Sequence, residues 1–274
     1  MSGLSVFSGR TAVITGAASG IGAALARTLA AAGCHLALGD IDGEGLAALA
    51  DELPESGVRV ITTRLDVADR EAIQEFAGLV DRAHGGANLL FNNAGVALGG
   101  DFHQVPAEDF DWLLAINLGG VVNTTRAFLP QLRRAGTAHI VNISSLFGLI
   151  APAGQTAYCT SKYAVRGFSD SLRHELAGSG IAVTTVHPGG VATKIAERAR
   201  MPESVSDTDR QAGLERSRRL LRMDPDRAAS IILSGVARNK ARILVGQDAK
   251  TAALLERLFP SHYWSLIARF VDRR

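Results

Sequence analysis

The sequence predicts an α/β fold built on a doubly wound parallel sheet of about seven strands, with helices on both faces. Three observations carry that expectation. Short β-like runs alternate with longer helical patterns along the chain. The runs are almost uncharged and continuously apolar, as strands buried on both faces are, rather than alternating. No linker, repeat or low-complexity stretch divides the 274 residues, so they read as one domain over 1–248 with an extension over 249–274.

The elements follow in order. Thr11-Ala12-Val13-Ile14 is a strand ending in Gly16. Residues 20–32 are Ala/Leu-rich with Arg27 their only charge, and Gly33 stops the helix. His35 to Leu38 is a second strand closing at Asp40, and 43–53 a helix ended near Pro54 and Gly57. Val58 to Leu65 reads as a third strand, 69–83 as a third helix, and Leu89-Leu90-Phe91 as a fourth strand running into Asn92-Asn93-Ala94-Gly95. Residues 106–116 and 117–134 are consecutive helices, His139 to Ile143 a fifth strand, 155–177 a long helix, and Ile181 to Val186 a sixth strand. A polar, Arg-rich stretch follows, then a helix over 225–238 and a strand from Arg242 to Val245.

Hydrophobic residues make up 47% of the chain and charged residues 20%, enough apolar material for a sizeable core and too much for disorder. The net charge of +2 disfavours a nucleic-acid binder driven by bulk charge. That sum hides a division: residues 1–193 carry 12 Lys/Arg against 17 Asp/Glu, net −5, whereas 194–274 carry 17 against 10, net +7. Two cysteines, Cys34 and Cys159, make no disulfide framework, so a reducing compartment is expected. The first residues show neither a basic n-region nor an apolar h-region, and a cytoplasmic location follows as the expectation. Ala135 to Ser161 is free of formal charge, but Asn142, Ser144, Ser145, Pro152 and Gln155 interrupt it, so it is no bilayer span.

The first strand runs into Thr15-Gly16-Ala17-Ala18-Ser19-Gly20-Ile21-Gly22 and then a helix. Glycines serve where backbone must turn sharply or approach a pyrophosphate, and a helix N-terminus adds free N–H groups and a positive dipole end. The spacing G-x-x-x-G-x-G departs from the commoner G-x-G-x-x-G, so the loop alone also fits an ordinary strand–helix turn. Asp40 closes the second strand 18 residues after Gly22, where a carboxylate can hold the ribose hydroxyls of an adenine dinucleotide. With Ala18 in the loop, Ile41 after the Asp and no basic residue evidently placed to offset it, a 2′-phosphate would meet negative charge. NAD is therefore expected over NADP.

Tyr158 and Lys162 stand four apart in a helical stretch and so share a face. A tyrosine ordinarily titrates near about 10, and a neighbouring ammonium is expected to lower that value and make the phenol a proton carrier for an alcohol oxygen. Ser145, 13 residues earlier, could hydrogen-bond the same oxygen as charge develops. Taken singly, such a pair is also a solvated helix face and such a serine also a loop residue.

Taken in order over about 180 residues, the glycine-rich loop, Asp66-Val67, Asn92-Asn93-Ala94-Gly95, Asn117, Ser145, Tyr158 with Lys162, and Pro188-Gly189 running to Thr193 resemble the short-chain dehydrogenase/reductase family. The branch is that of roughly 250 residues on a single Rossmann-type domain. The resemblance implies that Tyr158 is the general acid/base. It implies that Lys162 lowers the tyrosine pKa and bonds the nicotinamide ribose, and that Ser145 positions and polarises the substrate carbonyl. Asn117 would hold a water in a proton relay. Gly16, Ser19, Gly20, Ile21, Gly22 and Asp40 would hold the dinucleotide. Asp66 and the Val67 backbone would meet its adenine. Asn93, with Ala94 and Gly95, would brace the adenosine side, and Pro188, Gly189, Val191 and Thr193 would line the nicotinamide amide and pyrophosphate. No metal is implied. The Tyr-to-Lys gap of four is unlike the wider gap of the enoyl reductase relatives, and Cys159 replaces the small residue common there.

The family resemblance also makes residues 195–223 a lid over the substrate. Its arginines (198, 200, 210, 216, 218, 219 and 222) either receive an anionic group or, interleaved with Glu197, Glu203, Asp207, Asp209 and Glu215, form a solvated face. By analogy with the family, Leu146, Phe147, Ile150, Pro152 and Gln155, with Val96 and Leu98 across, border the expected pocket. Their apolar character favours a lipophilic alcohol or ketone over a sugar. In the extension, Leu254, Leu255, Leu258 and Phe259 share a helical face, and Tyr263, Ile267 and Phe270 recur beyond Pro260 with Trp264 and Val271 beside them. With Arg257, Arg269, Arg273 and Arg274, this face could lie on an anionic membrane or pack on the domain or a neighbouring subunit. The expected activity is NAD-dependent interconversion of an alcohol and its ketone or aldehyde. The competitors are an NADPH-dependent 3-oxoacyl or steroid-like ketone reductase and a non-catalytic dinucleotide sensor. A homodimer or homotetramer through the long helices is expected.

Overall fold

The computed structural model describes residues 4–53 and 57–271, with side chains through Ala268. Its centre is one seven-stranded sheet in the order β3-β2-β1-β4-β5-β6-β7. The strands are β1 (Thr11–Thr15), β2 (His35–Asp40), β3 (Val60–Arg64), β4 (Leu89–Asn92), β5 (Ala138–Ile143), β6 (Ile181–Pro188) and β7 (Arg242–Val245). All pairs are parallel. Strands β1, β4 and β5 are buried along their whole length, which is why they read as continuous apolar runs.

The intervening helices are α1 (Gly20–Ala31), α2 (Gly43–Glu52), α3 (Arg70–His84), α4 (Ala107–Leu114), α5 (Gly120–Arg134), α6 (Thr156–Glu175), α7 (Asp207–Leu220), α8 (Pro225–Val236), α9 (Gln247–Leu258) and α10 (Tyr263–Val271). One apolar core packs α1, α2 and α8 on one face of the sheet, through Leu25, Leu29, Leu46 and Ile232 against Ile14, Leu36 and Leu38. The other core packs α3, α5 and α6 through Phe76, Phe128 and Leu172 against Val13 and Leu90. Strand order reverses between β1 and β4, and an open α/β sheet binds its ligand in the crevice at the carboxyl ends beside such a reversal.

Three differences from the sequence reading bear on the site. Residues 106–134 form α4 and α5 joined without a break by a π turn, Ala115–Gly119, which carries Asn117. Strand β6 runs on to Pro188, so His187 is a strand residue. The Arg-rich stretch contains α7, which buries no residue and so gives no apolar period. Its mark is the cap, where Ser206 Oγ accepts the Asp209 N–H at 3.1 Å. In the extension, α9 buries the small residues Ala249 and Ala252, while Leu254, Leu258 and Phe259 stay exposed. The Tyr263 hydroxyl accepts the Ala151 N–H at 3.0 Å, tying α10 to the domain. The side chains of Arg269, Phe270, Val271, Arg273 and Arg274, expected on the tail's face, and residues 1–3 lie outside the described residues. Among the described residues no helix is long and apolar enough to cross a membrane, and no cluster of metal-ligating side chains occurs.

Candidate active site

At the end of β1 the chain turns through Gly16, at φ +65°, and Gly20, at φ +54°, a region that glycine occupies without strain. A Cβ on Gly16 would lie 2.7 Å from the Ala94 Cα, and one on Gly22 would overlap the Gly16 carbonyl. The loop is thus pressed against β4 and against itself. Ser19, the N-cap of α1, makes no side-chain capping bond, and the first turn holds no acid. The open N–H groups of Gly20, Ile21 and Gly22 form a donor set that fits a pyrophosphate. The Asn93 amide donates to the carbonyls of Thr15 (3.1 Å) and Gly16 (2.9 Å), bracing the loop from β4. Thr15 returns the tie: its Oγ1 accepts the N–H groups of Asn93 and Ala94, both at 3.1 Å.

Asp40 accepts the Ala18 N–H at 2.9 Å and the Asp42 N–H at 3.0 Å, so its carboxylate stands at the end of β2 beside the glycine loop. The structure corrects the expectation that no basic residue lies near. Arg64, the register partner of Asp40 on β3, donates to the Ile41 carbonyl at 3.3 Å. Arg198 from the lid pairs with Asp42 at 3.5 Å. Sequence distance hid both. One is brought in by strand pairing and the other by the lid folding back. Asp66 is exposed and accepts the Ala68 N–H at 2.8 Å, while Val67 is buried against Gly120.

Ser145, Tyr158 and Lys162 converge at the carboxyl end of β5. Ser145 caps a 3-10 turn, Leu146–Gly148, and its Oγ accepts the Phe147 N–H at 3.1 Å. The Ser144 hydroxyl donates to the Lys162 carbonyl at 2.9 Å, pinning α6 to this strand end. Lys162 Nζ lies 5.6 Å from the centroid of the Tyr158 ring and donates to the Ile143 carbonyl at 3.2 Å. Both side chains are buried. Burial pushes the Tyr158 phenol up to about 12, with the Ser145 hydrogen bond pulling it the other way. Burial pushes Lys162 down to about 8. Desolvation of the phenolate thus opposes the lowering expected from the ammonium, which stands 5.6 Å from the ring centroid. Asn117 sits beneath Gly95. Its Oδ1 accepts the Val96 N–H at 2.8 Å, and its amide donates to the Val96 carbonyl (3.0 Å) and Ser161 Oγ (3.1 Å).

The loop after β6 closes over the glycine loop: Thr193's methyl would lie 2.9 Å from a Cβ on Gly20. Val191 is buried and bridges Met223. On the substrate side, Leu98 and Tyr158 are buried together, with Val96, Phe147 and Ile195 packed on them. The Phe147 ring meets Tyr158 edge-on at 6.1 Å. Leu146 is half-buried on the 3-10 turn, and Gln155 approaches Gly99 beneath Met201 of the lid. Ile150 and Pro152 do not join this group. Pro152 lines a groove of about 520 Å³ with Cys159, Thr160 and Tyr163, which Ser145, Tyr158 and Lys162 do not line.

A family model for the short chain dehydrogenase matches residues 10–204. The chain is 44% identical to a Mycobacterium tuberculosis oxidoreductase, SadH, over 98% of each chain. A short-chain dehydrogenase/reductase from Burkholderia phymatum, solved in complex with NAD, superposes at a TM-score of 0.85 with 32% identity, over 92% of this chain and 94% of that one. A metagenomic short-chain oxidoreductase solved with NADP superposes at 0.71 with 32% identity, over 87% and 97%. The chain belongs to the short-chain dehydrogenase/reductase family.

As a member of that family the protein is an oxidoreductase with a Rossmann-type fold and a nicotinamide dinucleotide site. In this dehydrogenase/reductase the segment expected as a lid is tied to the loop after β4 through Arg200. Arg200 N–H donates to the Ala97 carbonyl (3.1 Å) and accepts the Gly99 N–H at its own carbonyl (3.0 Å). The Arg200 guanidinium stacks 3.6 Å over Trp112 and pairs with Asp109 at 2.8 Å. Arg218 pairs with Glu197 and Arg219 with Glu215. Two of the interleaved acids thus face two of the seven arginines. Burial pushes the Cys159 thiol up to about 11, away from the thiolate form. Sequence reasoning missed Thr15, Ser144, Ser161, His187 and Asp248. Asp248 accepts the Gly190 N–H at 2.6 Å, and the only mark it left is its place at the start of the helix after β7.

Proposed function

We propose that the protein interconverts an alcohol and its ketone or aldehyde with NAD, the substrate being lipophilic and Tyr158 the general acid/base. The observation that carries this reading is the buried pair Tyr158 and Lys162 with half-buried Ser145 beside them, beneath an apolar wall of Leu98, Phe147 and Ile195. When bound, the dinucleotide supplies hydride exchange at its nicotinamide ring and, oxidised, a positive charge there. In the oxidation direction Tyr158 accepts the hydroxyl proton as the substrate C–H bond gives up its hydride. In reduction it returns the proton to the carbonyl oxygen. Ser145 donates a hydrogen bond to that oxygen, worth more in a water-excluded site than in solvent. Lys162 holds a ribose hydroxyl and adds positive charge near the phenolate. Tyr158→Phe, assayed on a panel of alcohols and ketones, is expected to lower kcat by about 10²–10⁴ with dinucleotide affinity retained. Unchanged alcohol oxidation would defeat the mechanism. The retained Tyr158 and Lys162 argue against a sensor that only binds the dinucleotide.

Asp40 at the end of β2 supports NAD as the working cofactor. NADPH-dependent reduction of a 3-oxoacyl or steroid-like ketone is the second reading, favoured by Arg64 and Arg198 beside the same rim. Dissociation constants for NAD and NADP, measured on wild type and Arg198→Ala, separate the two. A homo-oligomer in the cytoplasm remains the proposed state, tested by light scattering. Peripheral contact of Leu254, Leu258 and Phe259 with an anionic membrane is tested by co-sedimentation of L254S/L258S against wild type.

A further inference from the structure

The backbone ladder between β5 and β6 ends at Ile143 and Val186, followed by one hydrogen bond from Ser144 N–H to the Val186 carbonyl at 2.8 Å. Beyond it the two chains diverge. One becomes the loop that carries Ser145, the other the Pro188-Gly189 turn of the nicotinamide side. A single side chain crosses the gap. His187 is fully buried, and its Nδ1 meets the Ser145 carbonyl oxygen at 2.9 Å. A carbonyl can only accept, so Nδ1 carries the proton. Nε2 is then the bare nitrogen, buried and without a partner among the described residues. The same carbonyl also takes the Gly148 N–H at 3.0 Å, so the Ser145 peptide is held from both sides.

We propose that His187 is a positioning residue of this enzyme, a side-chain rung that holds the Ser145 loop at a set distance from the nicotinamide turn. The inference rests on the reading of Ser145 given above. Strand β6 fixes the imidazole through its backbone, and the imidazole fixes the Ser145 peptide. The Ser145 hydroxyl then keeps its line to the substrate oxygen and to Tyr158. An error of about 1 Å in such a contact is enough to cost on the order of 100-fold in rate. The charged groups around the ring come from α6 and β7. Asp170 pairs with Arg173 at 2.8 Å, Arg242 at 3.7 Å and Arg166 at 3.9 Å, so they satisfy one another. Burial pushes His187 down to about 4, which keeps the ring neutral and its single proton on Nδ1 at neutral pH.

Three variants test the rung. Asn at 187 keeps an N–H donor near the Nδ1 position, Gln places its donor at the ε position, and Leu has none. The expected result is that H187N retains kcat to within about threefold, while H187Q and H187L lose on the order of 10- to 100-fold. NAD affinity should stay within about twofold in all three, because Asp248 and Val245 still hold the Gly189-Gly190 turn. The acid limb of the alcohol-oxidation profile should move to higher pH in H187Q and H187L, as Tyr158 loses the Ser145 bond that lowers it. Retained kcat in H187Q and H187L overturns the proposal. So does an equal loss in H187N, or a parallel loss of kcat and NAD affinity, either of which marks a packing role. If H187L does not fold, the Asn–Gln pair decides alone. Y158F in parallel keeps the two readings apart: its retained turnover sinks the assignment of the active site, whereas retained turnover in H187Q sinks only the rung.

Discussion

Tyr158 is a phenol that burial makes a poorer acid. The Ser145 hydrogen bond lowers it, but desolvation is the larger effect, and the total stands at about 12. Below that value each pH unit raises the phenolate population tenfold. Alcohol oxidation, which needs the phenolate, is therefore expected to climb from neutral into alkaline pH, and carbonyl reduction, which needs the phenol, to fall over the same range. Profiles of kcat/KM in both directions check this, and a flat oxidation profile between pH 7 and 10 would contradict it. Ser145→Ala removes a donor to the developing oxyanion and is expected to cost about 10²–10³ in kcat. The residues Tyr158, Lys162 and Ser145 were legible from spacing and family pattern. The direction of the tyrosine shift was not, because burial does not appear in a spacing.

Elements show where periodicity is a sufficient guide and where it is silent. Helices α1, α5 and α6 bury apolar stripes and are readable. Helix α7 buries nothing, so only its Ser206–Asp209 cap records it. Helix α9 turns the small residues Ala249 and Ala252 inward, while Leu254 and Leu258 of its leucine face stay exposed. Its first turn also reaches the cofactor side. Asp248 takes the Gly190 N–H, while the Gly190 carbonyl takes those of Arg222 (3.0 Å) and Met223 (2.9 Å), so the end of the Arg-rich stretch and the first turn of α9 meet on one residue. Losing a charge-assisted bond of about 1 kcal/mol corresponds to roughly fivefold. Asp248→Ala is expected to raise the KM for NAD by about that factor with little change in kcat, as measured at saturating substrate. An unchanged KM would leave the turn independent of α9.

At the scale of the molecule, two buried histidines set the response to acid. Burial pushes both His139 and His187 down to about 4 from 6.5. Between those values the unfolded chain binds protons that the folded chain refuses, so their contribution is fully present above about pH 6.5 and is lost as pH falls toward 4. Each is worth on the order of 3 kcal/mol. Urea unfolding midpoints are expected to drop steeply from pH 7 to 4.5, and to drop less in His139→Gln. The division of charge, net −5 before Lys194 and net +7 from it onward, also has a shape in the fold. Arg198 reaches back to Asp42 and Arg200 to Asp109, so basic residues of the last third clasp acidic residues of the first two.

The chain by itself determined the alternating α/β order, the parallel sheet, the glycine loop and the family to which it belongs. Those depend on local periodicity and on residue types at short, regular spacings. Only the tertiary structure decided which charges meet. Arg64 and Arg198 beside Asp40-Asp42, Asp248 under Gly190 and His187 behind Ser145 all join segments whose separation in sequence carries no period. It also decided how the site titrates, because a pKa follows from how much water the fold removes, and that is a property of the packed molecule.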